Sequence, residues 1–449
     1  MCLTSILLAA AWMSWNYRAD GILTWPDTQD YADVASEPVL SRAFWSGGNP
    51  PILPLLFKAF GLTSRTFMGP DYPVMAHRIT QVQTAFSFLA AASLALSFAS
   101  VLRQKWLRPV AVMVILGLGL AIDVAQWNKM LLTESLSSSL LFGIVAGAIV
   151  WIRWWEGPGS PKPLVVSALA IVLALGAILH AFARDVNPYV WLVLGFLTLP
   201  PTIVAIVRRR ERRWAYLAIV GIFFLAGGSS AVARRSHWSY PFINLVYDRV
   251  LPDHAALGFF VRRGFPIDVI ETITPPNRKD LHVAFRSDPR AEPLRAWYEA
   301  NGQTVYLEFL ASRPIDTLRA PLSHLATLLS PDVSWYRVRL HPDPAWMPLA
   351  GAVVYPRSTI FLVLWSVAVV ICSAILVRRG FGRPVWAVPL LMMVTLYPLM
   401  LIIWHGDSAA LERHSLPVGV GLRLCLWMLS FLLVDGYLSG PRIGLGRGS

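Results

Sequence analysis

Asp27, Asp30 and Asp33 recur at three-residue intervals, the first two within the stretch Trp25-Pro26-Asp27-Thr28-Gln29-Asp30-Tyr31-Ala32 that follows the first apolar segment of the chain and the third directly after it. A carboxylate within hydrogen-bond reach of a hydroxyl can take its proton as the oxygen attacks, and a membrane interface can shift the carboxylate pKa toward that task. If Thr28–Ser36 is a short helix, Asp27 and Asp30 are neighbours on one face. The same spacing also fits Asp27 as a helix N-cap, with Asp30 and Asp33 on a solvated face. Farther on come Asn49-Pro50-Pro51 and the apolar Ile52-Leu53-Pro54-Leu55-Leu56, and then three separated charged elements that contain Glu134, Arg184 and Arg413.

The elements that must hold these groups are hydrophobic. Apolar residues make up 55% of the 449 and charged residues only 14%, against roughly 25% charged in soluble domains. Runs long enough for a hydrocarbon core of about 30 Å lie near Met1–Trp15, Val74–Leu102, Pro109–Ile122, Ser135–Ile152, Leu164–Phe182, Tyr189–Val207, Trp214–Val232, Thr359–Val377, Val385–Trp404 and Leu416–Val434. The expectation is an all-α polytopic membrane protein with about ten transmembrane helices. The first run is short and lacks a basic leader, so it reads as an anchor or as a start placed too late, not as a signal peptide.

Basic residues stay on the cytoplasmic side. The loops with Arg103/Lys105/Arg108, Arg153, Arg208-Arg209-Arg210-Glu211-Arg212-Arg213, Arg378/Arg379/Arg383 and the tail Arg442/Arg447 all fall on one side of such a topology. The other loops, which hold every carboxylate named above, then face outward. Residues 1–232 form a seven-span block, 233–357 an extracytoplasmic insertion between the seventh and eighth spans, and 358–449 three further spans. Within the insertion, Thr304–Ser312 and Ile315–Leu329 read as amphipathic helices, and its turns include Pro252-Asp253, Pro275-Pro276-Asn277 and Pro331-Asp332. The spans are expected to be free of charge at their centres, with Asp123 and His180 the nearest exceptions.

The net charge of +13 is accounted for by inner clusters that meet anionic head groups, and no nucleic-acid partner is expected. Cys2, Cys372 and Cys425 lack the spacing of a disulfide framework or a zinc site. Trp25, Trp45, Trp127 and Trp404 fall at predicted interfaces, where aromatic belts are the default. Arg234, Arg235, Arg249, Arg262 and Arg263 read as a solvated, partly paired set, or as a docking patch for an acceptor or a lipid phosphate.

The element from Asp27 to Ala32, with Asn49-Pro50-Pro51 after it, resembles the GT-C superclass of integral-membrane glycosyltransferases. It is most similar to the protein-mannosyltransferase and aminoarabinose-transferase group, family 39-like, in which an Asp opens D-[ES]-x-x-Y-A and a basic-Pro-Pro element follows. The resemblance implies that Asp27 is the catalytic base and that Asp30, Tyr31 and Asn49 contact substrate. It departs at Asn49, where the group carries Lys or Arg. Leu132-Thr133-Glu134-Ser135 is similar to the second acidic element of these enzymes, and reads equally as a Thr/Glu helix start. Arg184 suits a phosphate oxygen, or an Arg184–Asp185 contact or snorkelling. Glu412-Arg413-His414-Ser415 resembles the Arg-bearing outer loop of the superclass, with Arg413 as phosphate clamp and His414 beside it.

The implied reaction takes a sugar from a polyprenyl-phosphate donor, presented by membrane lipid, to a hydroxyl of a glycan, lipid or protein acceptor. It runs on the outward face of a bacterial plasma membrane and inverts the anomeric centre. There is no strand-preceded GxGxxG or P-loop for a nucleotide. No cofactor and no metal site are expected: His405-Gly406-Asp407 is a weak ligand pattern, and a divalent cation, if bound, would take Asp27 or Asp30 and Glu134. Two other classes remain open. A transporter or flippase would place ionisable groups near the bilayer midplane, and a surface-polysaccharide polymerase or ligase would rely on the insertion's Arg residues with His237 or His254.

Overall fold

A computed structural model describes residues 2–19, 21–46, 49–156, 163–208, 213–233, 239–273, 284–285, 287–341 and 347–440. Asp20, Lys162, the inner cluster 209–212, Arg234, Arg235, His237, Pro275-Pro276-Asn277, Lys279, Arg442 and Arg447 lie outside the described residues.

The chain is helical throughout its described length. The order is α1 (Cys2–Ala19), α2 (Pro26–Ser36), α3 (Arg42–Ser46), α4 (Ile52–Ala59), α5 (Tyr72–Val101), α6 (Leu107–Leu120), α7 (Ile122–Ala125), α8 (Glu134–Glu156), α9 (Pro163–Ala183), α10 (Asn187–Val207) and α11 (Arg213–Ala233). There follow α12 (Ser239–Leu245), α13 (His254–Val261), α14 (Ile267–Ile273), α15 (Glu292–Trp297), α16 (Gln303–Ser312), α17 (Pro314–Ser323), α18 (Leu325–Leu329) and α19 (Met347–Val354). The chain closes with α20 (Thr359–Arg378), α21 (Ala387–Gly406), α22 (Leu411–His414) and α23 (Leu416–Ser439).

Among the described residues, six helices are long and apolar enough to cross a membrane, and up to seven if α6 and the Ile122–Lys129 segment, bent by 46°, form one broken span. Three shorter apolar helices, Leu3–Trp15, Ser167–Ala183 and Tyr216–Ala231, accompany them. The expected run Pro109–Ile122 is the broken one, because Ala121 takes an extended ψ of 144° and ends α6. The span that includes α23 is 72% buried and that of α20 only 17%, so α23 is the central post and α20 a lipid-facing stave. Residues between Phe242 and Leu310 gather around a hydrophobic cluster of their own.

Local chemistry sets the outer end. Pro26 opens α2, where a missing N–H loses nothing. Thr28 Oγ1 accepts from Trp25 N–H at 2.9 Å and donates to Leu131 O at 3.4 Å. A short parallel backbone pairing, Leu23 N to Lys129 O at 3.1 Å and Leu131 N to Leu23 O at 3.4 Å, locks the approach to α2 beside the approach to α8. The patch predicted over Ile315–Leu329 is divided at His324 into α17 and α18. Pro321 has no N–H for the carbonyl of Thr317, four residues back, and His405 Nε2 bonds that carbonyl instead, at 2.9 Å.

Arg423 corrects the expectation of spans without interior charge. It is fully buried in α23, about two turns from the outer end. Its guanidinium donates to Pro356 O (3.0 and 2.7 Å), Leu329 O (2.7 Å), Gly419 O (2.7 Å) and Ser330 Oγ (3.0 Å), and lies 3.8 Å from the Tyr355 ring centroid. It thereby fastens both flanks of the segment between α18 and α20 to the central helix. Arg423→Met strands the carbonyls of Leu329 and Pro356, each at about 1–3 kcal/mol. A loss of roughly 2–6 kcal/mol is expected on that basis, read as a lower thermal-inactivation temperature of the purified protein in lipid.

Candidate functional site

Four charged groups far apart in sequence meet at the N-terminal end of α8. Asp27 stands in the first turn of α2, whose N-cap is Trp25. Its carboxylate does not cap the helix, because Oδ2 accepts from Arg413 Nη1 at 2.6 Å. Glu134 opens α8, and its Oε1 lies 3.2 Å from Arg413 Nε and 3.1 Å from Arg184 Nη2. Arg184 Nη2 also donates to the backbone oxygen of Arg413 at 2.8 Å. The Glu134 and Arg184 side chains are 2% and 4% exposed, whereas Asp27 keeps 33% of its surface. The four formal charges cancel, as burial of ions demands. Even so, Glu134 Oε2, Arg184 Nη1 and Arg413 Nε are buried without a hydrogen bond among the described residues, so the network has one acceptor and two donors to spare.

Tyr31, one turn past Asp27, is buried. Burial first, and then the negative charges of Asp27 and Glu134, hold its phenol well above the ordinary range, while Arg413 and a hydrogen bond with Thr133 pull the other way. It is therefore a neutral hydroxyl under the network. Tyr336 closes the other side, sandwiched between Trp25 and Trp127 with ring centroids 5.1 and 5.0 Å away. Burial raises its pKa also, and Arg413, Glu134, Glu412 and Asp27 are the charges it senses. Arg184, lowered by burial and by Arg413, is held up by Glu134. An arginine guanidinium keeps its proton in a protein, and Arg184 stays a cation.

Of the residues picked out in the sequence, Asp27, Tyr31, Glu134, Arg184 and Arg413 are brought together. Asp30 lies half-buried on α2, and Asp33 is exposed and bonded by Gln29 at 2.9 Å. Asn49 stands half-buried in the bend before α4, whereas the ion-pair partners of Glu134 are Arg184 and Arg413. His414 turns toward Asp407, Nε2 to Oδ2 at 3.7 Å. Asp407 in turn accepts from Asn244 Nδ2 at 2.8 Å and Ala409 N at 2.9 Å, and burial raises its carboxyl pKa. These bonds brace the turn that carries Arg413, where Ala410 takes a left-handed φ of 49°. Thus Asp407 is a brace. Among the described residues no group of three or more His, Cys, Asp or Glu is placed to hold a metal ion.

Two further readings change. Trp127 is buried and stacked on Tyr336, not part of an interfacial belt. Arg249 is half-buried, bonded to Trp404 O and set 4.1 Å from the Trp404 ring centroid, so it is a structural contact and not a solvated one. Arg263 pairs with Glu308 on the surface as expected. Tyr336 and Thr133 were missed as site residues; Tyr336 follows the Pro331-Asp332 turn, tightened by Ser334 N to Asp332 Oδ1 at 3.0 Å.

Below the network lies an apolar cavity of about 210 Å³ between α8, α9, α10, α11, α21 and α23. Its polar end is Ser137 and Asn187, bonded to each other and each three residues beyond a charged member, Glu134 and Arg184. The rest is lined by residues such as Leu141, Trp191, Leu396 and Val420. The arrangement offers a partly exposed carboxylate, two guanidiniums aimed at one point and an apolar chamber beneath them. No family model matches this chain, and no curated protein or solved structure does either.

Glu134→Gln leaves Arg184 and Arg413 buried without their shared counter-charge. A destabilisation of about 3–5 kcal/mol is expected, and the double variant Glu134→Gln/Arg184→Gln recovers part of it, because the two groups are coupled. Thermal unfolding of the single and double variants in the same lipid checks both.

Proposed function

We propose that the chain is an extracytoplasmic membrane glycosyltransferase of the GT-C type, with about ten spans, a catalytic block of residues 1–232 and an insertion of 233–357 that closes the site. It works in a bacterial plasma membrane and takes a sugar from a polyprenyl-phosphate donor to an acceptor hydroxyl. The observation that carries this reading is the convergence of Asp27, Glu134, Arg184 and Arg413 from four distant segments, directly above an apolar cavity. Carboxylate, twin guanidiniums and apolar chamber are what a lipid phosphate ester and a proton-losing nucleophile need together.

In this mechanism the donor phosphate takes the spare Nη1 of Arg184 and an N–H of Arg413, and its polyprenyl chain enters the cavity that begins at Ser137 and Asn187. Arg413 then bridges donor and base, which fixes where Asp27 sits relative to the anomeric carbon. Asp27 accepts the acceptor's hydroxyl proton as that oxygen bonds to the anomeric carbon. The bond from the anomeric carbon to the phosphate oxygen breaks, and its electron pair stays on the phosphate. Arg184 and Arg413 stabilise that growing charge, the kind of electrostatic effect that usually dominates. Glu134 keeps both guanidiniums aimed, and Tyr31 stays protonated and available as a donor. A single displacement inverts the centre.

The test is turnover of a panel of polyprenyl-phosphate sugars by purified protein in lipid with an acceptor present. Wild type is expected to release polyprenyl phosphate equally with and without EDTA. Asp27→Asn lowers the rate by about 10²–10⁴-fold, and Arg413→Gln or Arg184→Gln by about 10²–10³-fold. Equal turnover by wild type and Asp27→Asn removes Asp27 from the chemistry. Absence of turnover with every donor favours the transporter or polymerase classes.

A further inference from the structure

A second cavity lies on the opposite side of Trp127, between α1, α6 and α19, with a volume of about 640 Å³. That is well inside the roughly 300–1,000 Å³ typical of ligand sites, and the mechanism proposed above makes no use of it. Its walls are apolar, with Leu8, Trp12, Leu116, Leu120, Ala352 and Val354 among the lining residues. From Leu120 to Met113 it descends about 10 Å along α6, at 1.5 Å per residue. Leu8 and Met113, both at the cavity, are 68% and 49% exposed, so it opens sideways toward the surface that meets lipid tails.

The outer end carries the charge. Asp123 and Arg357 line it, and Arg357 Nη2 donates to Asp123 Oδ1 at 2.7 Å. The two members differ sharply in access: the Asp123 side chain is 9% exposed and that of Arg357 61%. No other hydrogen bond from the Arg357 guanidinium is found among the described residues. Arg423 lies close enough behind Asp123 for their charges to interact, and its own N–H groups are already committed to carbonyls and a hydroxyl. Asp332, exposed and close enough to Arg357 for their charges to interact, brings the four charges to balance, and what the Arg357 side offers a phosphate is an exposed fork of N–H groups at the mouth of an apolar slot.

We propose that this cavity is a binding site for an anionic phospholipid, with an acyl chain between α1 and α6 and the phosphodiester on Arg357. The guanidinium fork matches phosphate oxygens. A zwitterionic lipid gains nothing for its ammonium at Asp123, which is buried and already engaged, and competition by phosphatidylcholine in the experiment below reads out pairing with the exposed Asp332. The bound head group sits one relay from the other site: Asp123 O accepts from Trp127 Nε1 at 2.9 Å, and Trp127 packs on Tyr336.

The experiment needs no sugar transfer, so it stands or falls apart from the proposed function. Full-length protein in phosphatidylcholine nanodiscs is given a trace of phosphatidylglycerol carrying a diazirine in its acyl chain, irradiated and digested, and labelled peptides are mapped by mass spectrometry. Label is expected on residues 5–12 and 113–120, displaced by excess phosphatidylglycerol but not by further phosphatidylcholine or by inorganic phosphate. Arg357→Gln, which can still hydrogen-bond Asp123, is expected to reduce this label by about tenfold, the loss of roughly one charged contact. Ala352→Trp, which fills the slot and keeps the ion pair, abolishes it. Label that survives both variants, or that phosphatidylcholine competes away equally, overturns the site; displacement by inorganic phosphate overturns the acyl-chain assignment.

Discussion

A carboxylate buried between two guanidiniums governs the end of the molecule where α8 begins. Glu134 has almost no contact with solvent, and an isolated charge there is costly in any low-dielectric setting. It is tolerable only with Arg184 and Arg413 in place, and Arg413 in turn needs the backbone of its own turn held by Arg184 and its side chain shared with Asp27. The start of α2, the start of α8, the turn after α9 and the turn before α23 are thus fastened to one point. Each brings a backbone element with it, which is why the catalytic reading and the architecture cannot be separated.

The region between α11 and α20 completes that point without supplying its charges. Tyr336 lies between two tryptophans and walls off Asp27 and Glu134. Asn244 braces Asp407, and His405 takes the carbonyl that Pro321 leaves open. Arg423 pins the same region from below. Polar groups that would be liabilities in a buried setting are each given a specific partner, and the result is a rigid ceiling over a carboxylate that keeps a third of its surface. Fixed surroundings and access at the carboxylate are the two properties that the proposed role of Asp27 as a base requires.

The apolar cavities differ in a way that follows from their neighbours. The one beneath Glu134 and Arg184 ends in Ser137 and Asn187, which satisfy each other, so its polar character comes from the charged network above. The one beside α1 ends in an ion pair with an exposed cation. The second sits beside the break where Ala121 interrupts α6, and at its wall Gly117 lets α6 approach α19 so closely that an added Cβ would meet Val354 at 3.1 Å.

Composition and hydropathy alone decided that the chain is helical and built for lipid, because a bilayer admits few alternatives for backbone that apolar side chains surround. The types of Asp27, Glu134, Arg184 and Arg413 and their placement beside the ends of apolar runs were also legible, since ionisable residues next to long apolar runs are conspicuous. Their partnership was not. Spacing in sequence offered Asp27 to a helix cap and Arg184 to Asp185, and only the approach of α2, α8 and α22 sent both to a common centre. Trp127 looked like a belt tryptophan and Tyr336 did not stand out, because nothing local tells a buried ring from an interfacial one. Arg423 went unnoticed inside an apolar run for a related reason: its partners are main-chain carbonyls from distant turns, and backbone groups leave no mark in the sequence until the fold brings them together.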